Sequence, residues 1–422
     1  MLSKADNELL TRVGPGTLMG DLMRQYWIPA ALSSELAEPD GPPLRLRLLG
    51  EDLIAFRDTT GKIGMIQNNC PHRGASLFFG RNEESGLRCV YHGWKFDTTG
   101  ACVDMPNEPA ESDFKQKVKA IAYPTVERGG MIWAYMGPRP NPPELPALEW
   151  TTVPEANRNI YPALRECNWM QGLEGDIDTA HLYFLHARLN PEVDGAAGVF
   201  HEDVHPRLEL VETEYGMMYG ARREEDADHY YWRITQYMFP FHTYFPPGGL
   251  QGVPGHIWVP LDDENTMVWS ISSNPDGPVG GNRTPPRMEY LPNTSDGLGR
   301  WRLAANDEND YMIDREAQRT TTFTGIPTIM LQDQAMTESM GAVANRMNEH
   351  LGSTDAMIIQ VRRRLINAAR ALRESGVTPP GVDDPSLYGV RSASLVLARD
   401  ADWQEATRDV LKAFSGLPVA NH

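Results

Sequence analysis

Two short pairs of cysteine and histidine constrain this chain more than any other feature. Cys70-Pro-His72 is followed, after sixteen residues, by Cys89-Val-Tyr-His92. A [2Fe–2S] cluster can be held by two cysteines on one iron and two histidines on the other, and each pair offers one ligand of each kind. A zinc site with two cysteines and two histidines tolerates similar spacings, so that alternative stays open from spacing alone.

The sequence around these pairs is typical of short strands joined by turns. Residues 44–48 alternate leucine and arginine, which is the pattern of a half-buried strand. Asp-Thr-Thr-Gly occurs at 58–61 and again at 97–100, and each copy is a turn signal. Residues 129–136 predict a further apolar strand, whereas residues 7–36 have apolar side chains at helical spacing and predict a helical lead-in.

A proline-rich stretch divides the chain. Residues 137–146 contain five prolines, which favour an extended backbone and exclude a place inside a sheet. We therefore expect a lead-in helix and cluster domain over residues 1–137, a linker over 138–149 and a second domain over 150–422. With 422 residues, the chain is long enough for two domains with full cores.

The second domain mixes strands with helices. Residues 169–188 are predicted to be helical, and residues 207–271 read as successive strands rich in aromatic and β-branched side chains. Helices are also predicted near residues 306–319 and 355–375, the second of which ends at Gly376. A sheet wrapped on a long C-terminal helix predicts the α+β class.

A second candidate metal site lies within the first of these helices. Asp178, His181 and His186 fall within nine residues, and non-haem Fe(II) oxygenases use two histidines and one carboxylate. Five residues span about 140° on an ideal helix at ~100° per residue, so we expect either irregularity or long-reaching geometry between the histidines. Asp178 precedes His181 by three residues, which places both on one helical face. The carboxylate can then accept a hydrogen bond from the second ring N–H of a metal-bound histidine and fix its tautomer. The alternative is a pair of buried histidines satisfied by backbone groups.

The carboxylate that completes this site must come from a distant part of the chain. Spacing leaves four candidates open, which are Asp310, Asp314, Asp333 and Glu338.

The motifs Cys70-Pro-His72-Arg73-Gly74 and Cys89-Val-Tyr-His92-Gly93-Trp94 resemble those of the Rieske ring-hydroxylating oxygenases, specifically their large subunits. The resemblance extends along nearly the whole chain and is closest to the phthalate-dioxygenase-like branch. It implies an N-terminal β-rich Rieske [2Fe–2S] domain followed by a helix-grip (START-like) antiparallel-sheet catalytic domain. It also implies Asp333 as the third iron ligand, because the family places that ligand where this chain reads Leu-Gln-Asp-Gln at 331–334.

The resemblance further implies a mechanism and partners. Cys70, His72, Cys89 and His92 would hold the cluster, while His181, His186 and Asp333 would hold mononuclear Fe(II). Asp178 would bridge to His92 of the partner subunit, so that electrons cross a subunit boundary in a trimer or a stacked pair of trimers.

The implied activity is that of a terminal oxygenase, which hydroxylates an aromatic substrate with dioxygen. We expect ring dihydroxylation of an aromatic carboxylate, and the alternative is O-demethylation of a methoxylated aromatic acid. A Rieske electron carrier would leave the second domain without a role. A zinc-stabilised binding module is the third alternative, which visible absorption of the purified protein would distinguish from a cluster protein. If the substrate is a carboxylate, Arg207 and Arg233 are candidates to bind it, because each lies in a predicted strand and offers two parallel donors.

The composition of the chain limits the classes of partner and the compartment that we expect. The chain has 39 Lys and Arg against 57 Asp and Glu, a net charge of −18, which argues against a nucleic-acid or anionic-membrane surface. We expect no membrane span and, with Cys102 and Cys167 as free thiols, a reducing cytoplasm. No GxGxxG fingerprint for a nicotinamide or flavin occurs, so the electrons of NAD(P)H should arrive through a separate flavin and iron–sulfur reductase.

Overall fold

The computed structural model describes residues 1–109, 111–189, 203–246, 252–279 and 288–416. Its N-terminal segment corrects the predicted lead-in over residues 7–36. Two short helices, α1 (Lys4–Thr11) and α2 (Leu18–Met23), are followed by a strand, β1 (Trp27–Leu32). Residues 14–16, Gly-Pro-Gly, end the first helix because they favour turns, and the apolar run at 27–32 pairs with a later strand instead of continuing the helix.

Three small antiparallel sheets build the cluster domain. One contains β2–β4, a second contains β5–β8, and a third places β10 between β1 and β9. The predicted strands at 44–48 and within 129–136 are confirmed. The strand bounds are β2 Leu44–Leu48, β3 Glu51–Arg57, β4 Ile63–Gln67, β5 Arg81–Glu83, β6 Gly86–Arg88, β7 Lys95–Phe96, β8 Cys102–Asp104, β9 Thr125–Arg128 and β10 Met131–Tyr135.

An eight-stranded antiparallel sheet dominates the second domain. Its order is β11-β17-β16-β15-β14-β13-β12, with β18 against β14. The predicted strands between 207 and 271 are confirmed, whereas β11 and β18 were not predicted. The bounds are β11 Arg158–Arg165, β12 Arg207–Glu212, β13 Gly216–Glu224, β14 His229–Met238, β15 His242–Tyr244, β16 Val253–Pro260, β17 Thr266–Ser273 and β18 Ala393–Ala398.

Helices pack against this sheet. The predicted helix at 355–375 is confirmed as α7; its buried face carries Met357, Val361 and Leu365, and it ends at the left-handed Gly376. The prediction at 306–319 was partly wrong, because residues 307–312 form an irregular 3₁₀ segment with Asp310 at positive φ. The α-helices of this domain are α3 Trp169–Asp176, α4 Leu182–Leu185, α5 Arg315–Thr320, α6 Ile329–Ser339, α7 Ala356–Ser375 and α8 Trp403–Thr407. Further 3₁₀ segments are Ser33–Leu36, Leu77–Phe79, Phe114–Lys117, Glu149–Thr151, Glu155–Asn157, Ser353–Asp355 and Pro385–Tyr388.

The apolar core is not divided where the linker lies. A small core surrounds the cluster loops and includes Phe56 and Trp94. The large core contains α1, α2, β1 and β10 together with the second domain, and Trp27 donates to the carbonyl of Pro143 in the linker (2.8 Å). The N-terminal helices therefore pack on the second domain, while the boundary at 138–149 stays a prediction. No helix among the described residues is long and apolar enough to cross a membrane.

Candidate metal centres

The two cluster loops are copies of one backbone turn. In the first, the amide of Gly74 donates to the carbonyl of Cys70 (2.9 Å), and that of Cys70 to the carbonyl of Ala75 (2.8 Å). In the second, Gly93 donates to Cys89 (2.9 Å) and Cys89 to Trp94 (2.8 Å). Gly74 and Gly93 have φ values of 75° and 81°, which explains glycine at the same place in both motifs.

The turns place the thiols inside and the imidazoles towards the surface. Cys70 and Cys89 are each 3% exposed, and burial, together with the neighbouring Cys89, raises the pKa of the Cys70 thiol to about 11. The rings of His72 and His92 are half-buried, with centroids 4.4 Å apart. His72 also stacks on Trp94 at 4.3 Å, and the indole of Trp94 donates to Asn107 (2.7 Å).

The spacing of these four donors separates a cluster from zinc. Around tetrahedral zinc the ligand atoms lie about 3.5 Å from one another. Within the described residues, His181, His186 and Asp333 form the only group of three such donors that all lie within 4.8 Å. No three of the cluster-loop donors converge in that way, so the site fits two metal ions better than one.

The second centre depends on a break in a helix. The helix predicted over 169–188 is interrupted between Asp176 and Leu182; the irregularity therefore lies before His181 and not between the two histidines, where it was expected. His181 lies immediately before α4 and His186 immediately after it, which brings the ring centroids to 5.1 Å at an angle of 84°. Asp178 lies within the break and not on a shared helical face, so that part of the prediction was wrong.

Asp333 on α6 completes the group. Its Oδ1 lies 3.3 Å from Nε2 of His186 and 3.8 Å from Nε2 of His181. Burial opposes the charge of this carboxylate, but the contact with His186 lowers its pKa below the ordinary value. The structure therefore joins Asp333 to the two histidines, and among the described residues it does not join Asp310, Asp314 or Glu338 to them.

Both histidines are oriented by their other ring nitrogen. Nδ1 of His181 lies 3.5 Å from Asp178, and burial of Asp178 is outweighed by this contact, which lowers the pKa of the carboxyl. Nδ1 of His186 lies 2.7 Å from Oε1 of Gln332, whose amide nitrogen donates to Ile326 (3.0 Å). Because the Gln332 amide oxygen can only accept, His186 carries its proton on Nδ1. The two Nε2 atoms and one carboxylate oxygen are thus free to bind one metal ion.

Buried polar side chains support the broken helix, and sequence reasoning missed them. Asp176 accepts hydrogen bonds from Thr243, His256 and Trp258. Arg223, on β13, donates to the carbonyl of Thr179 within the break (2.9 Å). These partners are far away in sequence and carry no motif, so only the folded chain reveals them.

A second buried network holds α3 from its other side. Glu174, on α3, pairs with Arg346 (3.0 Å) and Arg362 (2.6 Å), and Arg362 also pairs with Glu349. The two arginines therefore explain an acidic residue at position 174.

The two arginine candidates differ in position. Arg207 is exposed on β12, at the edge of the sheet, so the structure gives no support to its role as a buried anchor. Arg233 is 5% exposed on β14, and its Nη2 donates to the carbonyl of Pro246 (2.9 Å). Cys102 and Cys167 are buried and form no disulfide within the described residues.

Comparison with known proteins identifies both halves of the chain. The family described as "Rieske [2Fe-2S] domain" matches residues 26–122, and "LigXa C-terminal domain like" matches residues 134–415. The oxygenase subunit of 3-chlorobenzoate-3,4-dioxygenase from Comamonas testosteroni is 43% identical over 95% of this chain and 96% of its own length. The oxygenase subunit of phthalate 4,5-dioxygenase from Pseudomonas putida is 38% identical over 96% and 94%.

More distant relatives share the same architecture. The oxygenase subunit of 5,5'-dehydrodivanillate O-demethylase from Sphingobium sp. is 32% identical over 99% of this chain and 92% of its own. The terminal oxygenase of carbazole 1,9a-dioxygenase from Nocardioides aromaticivorans superposes with a TM-score of 0.57 at 17% identity, covering 87% of this chain and 98% of that one.

The donor sets fit a Rieske cluster and mononuclear iron, and the relatives are named as oxygenase subunits, which implies a separate reductase component. The predicted α+β fold, with a Rieske domain ahead of the catalytic domain, is confirmed. This chain belongs to the large subunits of the Rieske non-haem iron ring-hydroxylating oxygenases, in their phthalate-dioxygenase-like branch.

Proposed function

We propose that this terminal oxygenase dihydroxylates an aromatic carboxylate with dioxygen and reductase-derived electrons. The observation that carries the proposal is the convergence of His181, His186 and Asp333 in a chain that also holds the Cys/His cluster loops. The similarity over nearly the whole length to the 3-chlorobenzoate and phthalate dioxygenase subunits supports the substrate class.

The protein's own residues have distinct tasks in this proposal. His181, His186 and Asp333 would hold the iron, which would supply the activation of dioxygen when bound. Asp178 and Gln332 fix the rings of His181 and His186, so that Nε2 of each ring faces the metal. Arg223 holds the backbone between Asp178 and His181 and so limits the movement of both.

An arginine anchor for the substrate follows from the charge distribution. Arg233 and Arg223 lie close together in the interior, and burial together with the positive charge of Arg233 lowers the pKa of Arg223 to about 10. Burial raises the pKa of Tyr219 to about 12. The charges of Asp178, Arg233 and Arg223 also influence the pKa of this hydroxyl. The two arginines therefore lie near the helix break. A bound carboxylate would relieve the repulsion between the two guanidinium groups.

Variants of Arg233 test this anchor. Arg233→Gln should weaken binding of an aromatic acid by ~1.5–3 kcal/mol, the range for hydrogen bonds to charged groups, and binding of its methyl ester far less. Arg207→Gln, on the exposed edge strand, is the control and should change neither affinity. Equal losses for acid and ester in Arg233→Gln would exclude this residue as the anchor.

Electron transfer between subunits is the second part of the proposal. In the cluster domain Val90 and Tyr91, which directly precede His92, are 58% and 55% exposed. Beside the mononuclear site Phe184 and Phe323 are also exposed, with their rings 5.7 Å apart. We infer that these two apolar surfaces meet in a head-to-tail trimer or a stacked pair of trimers, with Asp178 bridging to His92 of the partner subunit.

Co-expression of two inactive chains tests this arrangement. Cys89→Ser removes a cluster ligand and Asp333→Ala removes an iron ligand, so each chain alone should lack turnover. If electrons cross between subunits, mixed oligomers regain activity because a cluster on one chain serves the iron on its neighbour. Mixed oligomers that remain inactive would place electron transfer within one chain.

Product analysis with a surrogate reductase tests the reaction itself. A panel containing 3-chlorobenzoate, phthalate and methoxybenzoates should give cis-dihydrodiols from the unmethoxylated acids, with both atoms of ¹⁸O₂ in the product. The alternative, O-demethylation, is favoured by the similarity to the dehydrodivanillate enzyme and would instead release formaldehyde from methoxylated acids. No product from any aromatic acid would overturn the proposed substrate class.

A further inference from the structure

The lysines of this acidic chain are unevenly distributed. Of the seven in the sequence, five lie between residues 62 and 119, in the cluster domain. Lys4, Lys95 and Lys412 each form an ion pair with an acidic side chain, at 3.9, 3.1 and 3.0 Å. The other four are exposed and form no ion pair within the described part of the chain. We call these four the lysine edge, which consists of Lys62, Lys115, Lys117 and Lys119.

The two Asp-Thr-Thr-Gly turns meet at the lysine edge. Residues 61–62, at the end of the first turn, and residues 98–99, within the second, line a cleft of about 540 Å³ together with Lys119. Asp58 and Asp97 accept hydrogen bonds from backbone amides of their own turns, at 2.8 to 3.0 Å. Both carboxylates therefore stabilise turns instead of pairing with the lysines.

The segment that carries the other three lysines, residues 114–119, is held against β8 and the second turn. The amide of Cys102 donates to the carbonyl of Val118 (3.4 Å), and the amide of Ala120 donates to the carbonyl of Gly100 (2.8 Å). These backbone bonds fix the segment beside the turn whose residues line the cleft. The four lysines therefore belong to one continuous part of the surface.

Two aromatic rings connect the lysine edge to a proposed cluster ligand. Phe114, which directly precedes Lys115, is 43% exposed, and its ring lies 6.1 Å from the ring of Trp94. Trp94 is buried and stacks on the imidazole of His72 at 4.3 Å. A protein that covers Phe114 would therefore be separated from the His72 ring by two side chains in contact.

We propose that the lysine edge and Phe114 bind the reductase component through acidic side chains around its iron–sulfur centre, so that electrons enter this chain on the side of His72. In each encounter the reduced iron–sulfur centre of the reductase loses one electron and the cluster of this chain gains it, and no covalent bond forms or breaks. The inference rests on the cluster and the reductase of the proposed function, and it does not depend on the substrate.

Charge complementarity favours an acidic partner at this surface. The chain carries a net charge of −18, so it repels an acidic protein as a whole and attracts it only where unpaired ammonium groups cluster. The acid that lines the cleft, Glu127, is already paired with Arg57 (2.6 Å). Lysine binds carboxylates as a point charge on a flexible stem, which suits the weak and brief contacts of electron-transfer partners.

The rate of cluster reduction tests this surface without turnover. The probe is the reductase component of the phthalate 4,5-dioxygenase system, mixed with the oxidised holoprotein and followed by visible absorption in stopped flow. Replacing all four lysines of the lysine edge by Gln should slow reduction by about 10- to 100-fold at low salt, because electrostatic steering is lost. Raising the salt from about 0.01 M to 1 M should slow the wild type far more than this variant.

Further variants check the position and the sign of the effect. Lys4→Gln combined with Lys412→Gln removes two exposed ammonium groups that are ion-paired elsewhere, and the rate should stay at the wild-type value. Asp113→Asn removes an exposed carboxylate next to Phe114 and should speed reduction. Carbodiimide, which joins ammonium groups to carboxylates, should cross-link the reductase to the lysine edge, as identified by mass spectrometry.

Light-activated deazaflavin, an uncharged small reductant, separates docking from damage to the cluster. It should reduce the wild type and the four-lysine variant at the same rate. Equal slowing with deazaflavin and with the reductase would mean that the substitutions disturb the cluster, and this result would overturn the inference. An unchanged rate with the reductase would place docking elsewhere and leave the proposed function intact. A wild-type protein that deazaflavin reduces and the reductase does not would exclude this partner, whereas a protein without a cluster would contradict the proposed function itself.

Discussion

The two metal centres of this chain are built in opposite ways. All four proposed cluster ligands lie between Cys70 and His92, on two turns that are closed by their own backbone hydrogen bonds. The proposed iron ligands come from two distant segments, and side chains hold them in place. Asp178 and Gln332 orient the rings, while Arg223 and the Asp176 network hold the broken helix.

This difference indicates which substitutions should disturb each site. A turn closed by its own backbone tolerates changes in the side chains around it, as long as Gly74 and Gly93 can adopt positive φ. A site held by partners from several strands and helices loses geometry when any partner is removed. We therefore expect the cluster to withstand most nearby substitutions, whereas the mononuclear iron site responds to changes outside its ligands.

The largest expected effect separates the two centres completely. Cys89→Ser should lose the visible absorption of the cluster and the low average g-value of its reduced form, yet keep mononuclear iron. Asp333→Ala should keep the cluster spectrum and lose mononuclear iron. Both variants should lack turnover. Iron analysis with visible and EPR spectra provides the check, and loss of both metals in Asp333→Ala would contradict the independence of the two sites.

A smaller effect is expected where the two centres communicate. Asp178→Asn should retain the cluster spectrum and the iron content, but turnover should fall by about 10–100-fold, the range for a residue that orients a metal ligand. Asp226→Asn, which removes the exposed carboxylate beside His229, is the control and should be as active as wild type. Unchanged turnover in Asp178→Asn would make that residue an ordinary part of the helix break.

The same contrast explains how much could be predicted from the sequence. The cluster ligands follow from spacing because a local turn determines their positions. The pair His181 and His186 was also predictable, whereas the break in the helix lies before His181 and not between the histidines as predicted. Spacing could not choose Asp333 among four acids, and only the resemblance to a family did so. Chain connectivity does not encode which distant residues meet in the fold, which is why Gln332, Arg223 and the Asp176 network were missed.

The secondary structure could also be predicted for some segments and not for others. The strand at 44–48 and the helix at 355–375 were predicted by a clear period in their apolar residues. The strand β1 was taken for helix because its run, Trp-Ile-Pro-Ala-Ala-Leu, is apolar at every position and is buried on both faces. Such a run carries no period, and pairing with β10 decided its conformation.

The next prediction concerns the imidazole side of the cluster. Replacing His72 or His92 by Cys should lower the reduction potential by a few hundred millivolts, because an all-thiolate cluster lies far below a His-ligated one. Trp94→Phe keeps an aromatic ring against His72 but removes the donor to Asn107, and should shift the potential much less. Redox titration followed by visible absorption measures both, and equal shifts in the two kinds of variant would argue against imidazole ligation.

The smallest effect compares two glycines of α3 and tests how tightly the sheet holds the broken helix. A Cβ at Gly172 would lie 2.1 Å from the ring of Trp258, whereas one at Gly175 would meet only Thr337 Cγ2 at 4.0 Å. Gly172→Ala should therefore displace Trp258 from Asp176 and destabilise the protein by ~1–3 kcal/mol, the usual effect of overpacking. Gly175→Ala has room and should be neutral or more stable by up to ~1 kcal/mol, because alanine favours helix over glycine. Thermal unfolding of the two holoproteins compares their stabilities. If the Gly172→Ala variant were as stable as the Gly175→Ala variant, α3 would not be held tightly against the sheet by the contact with Trp258.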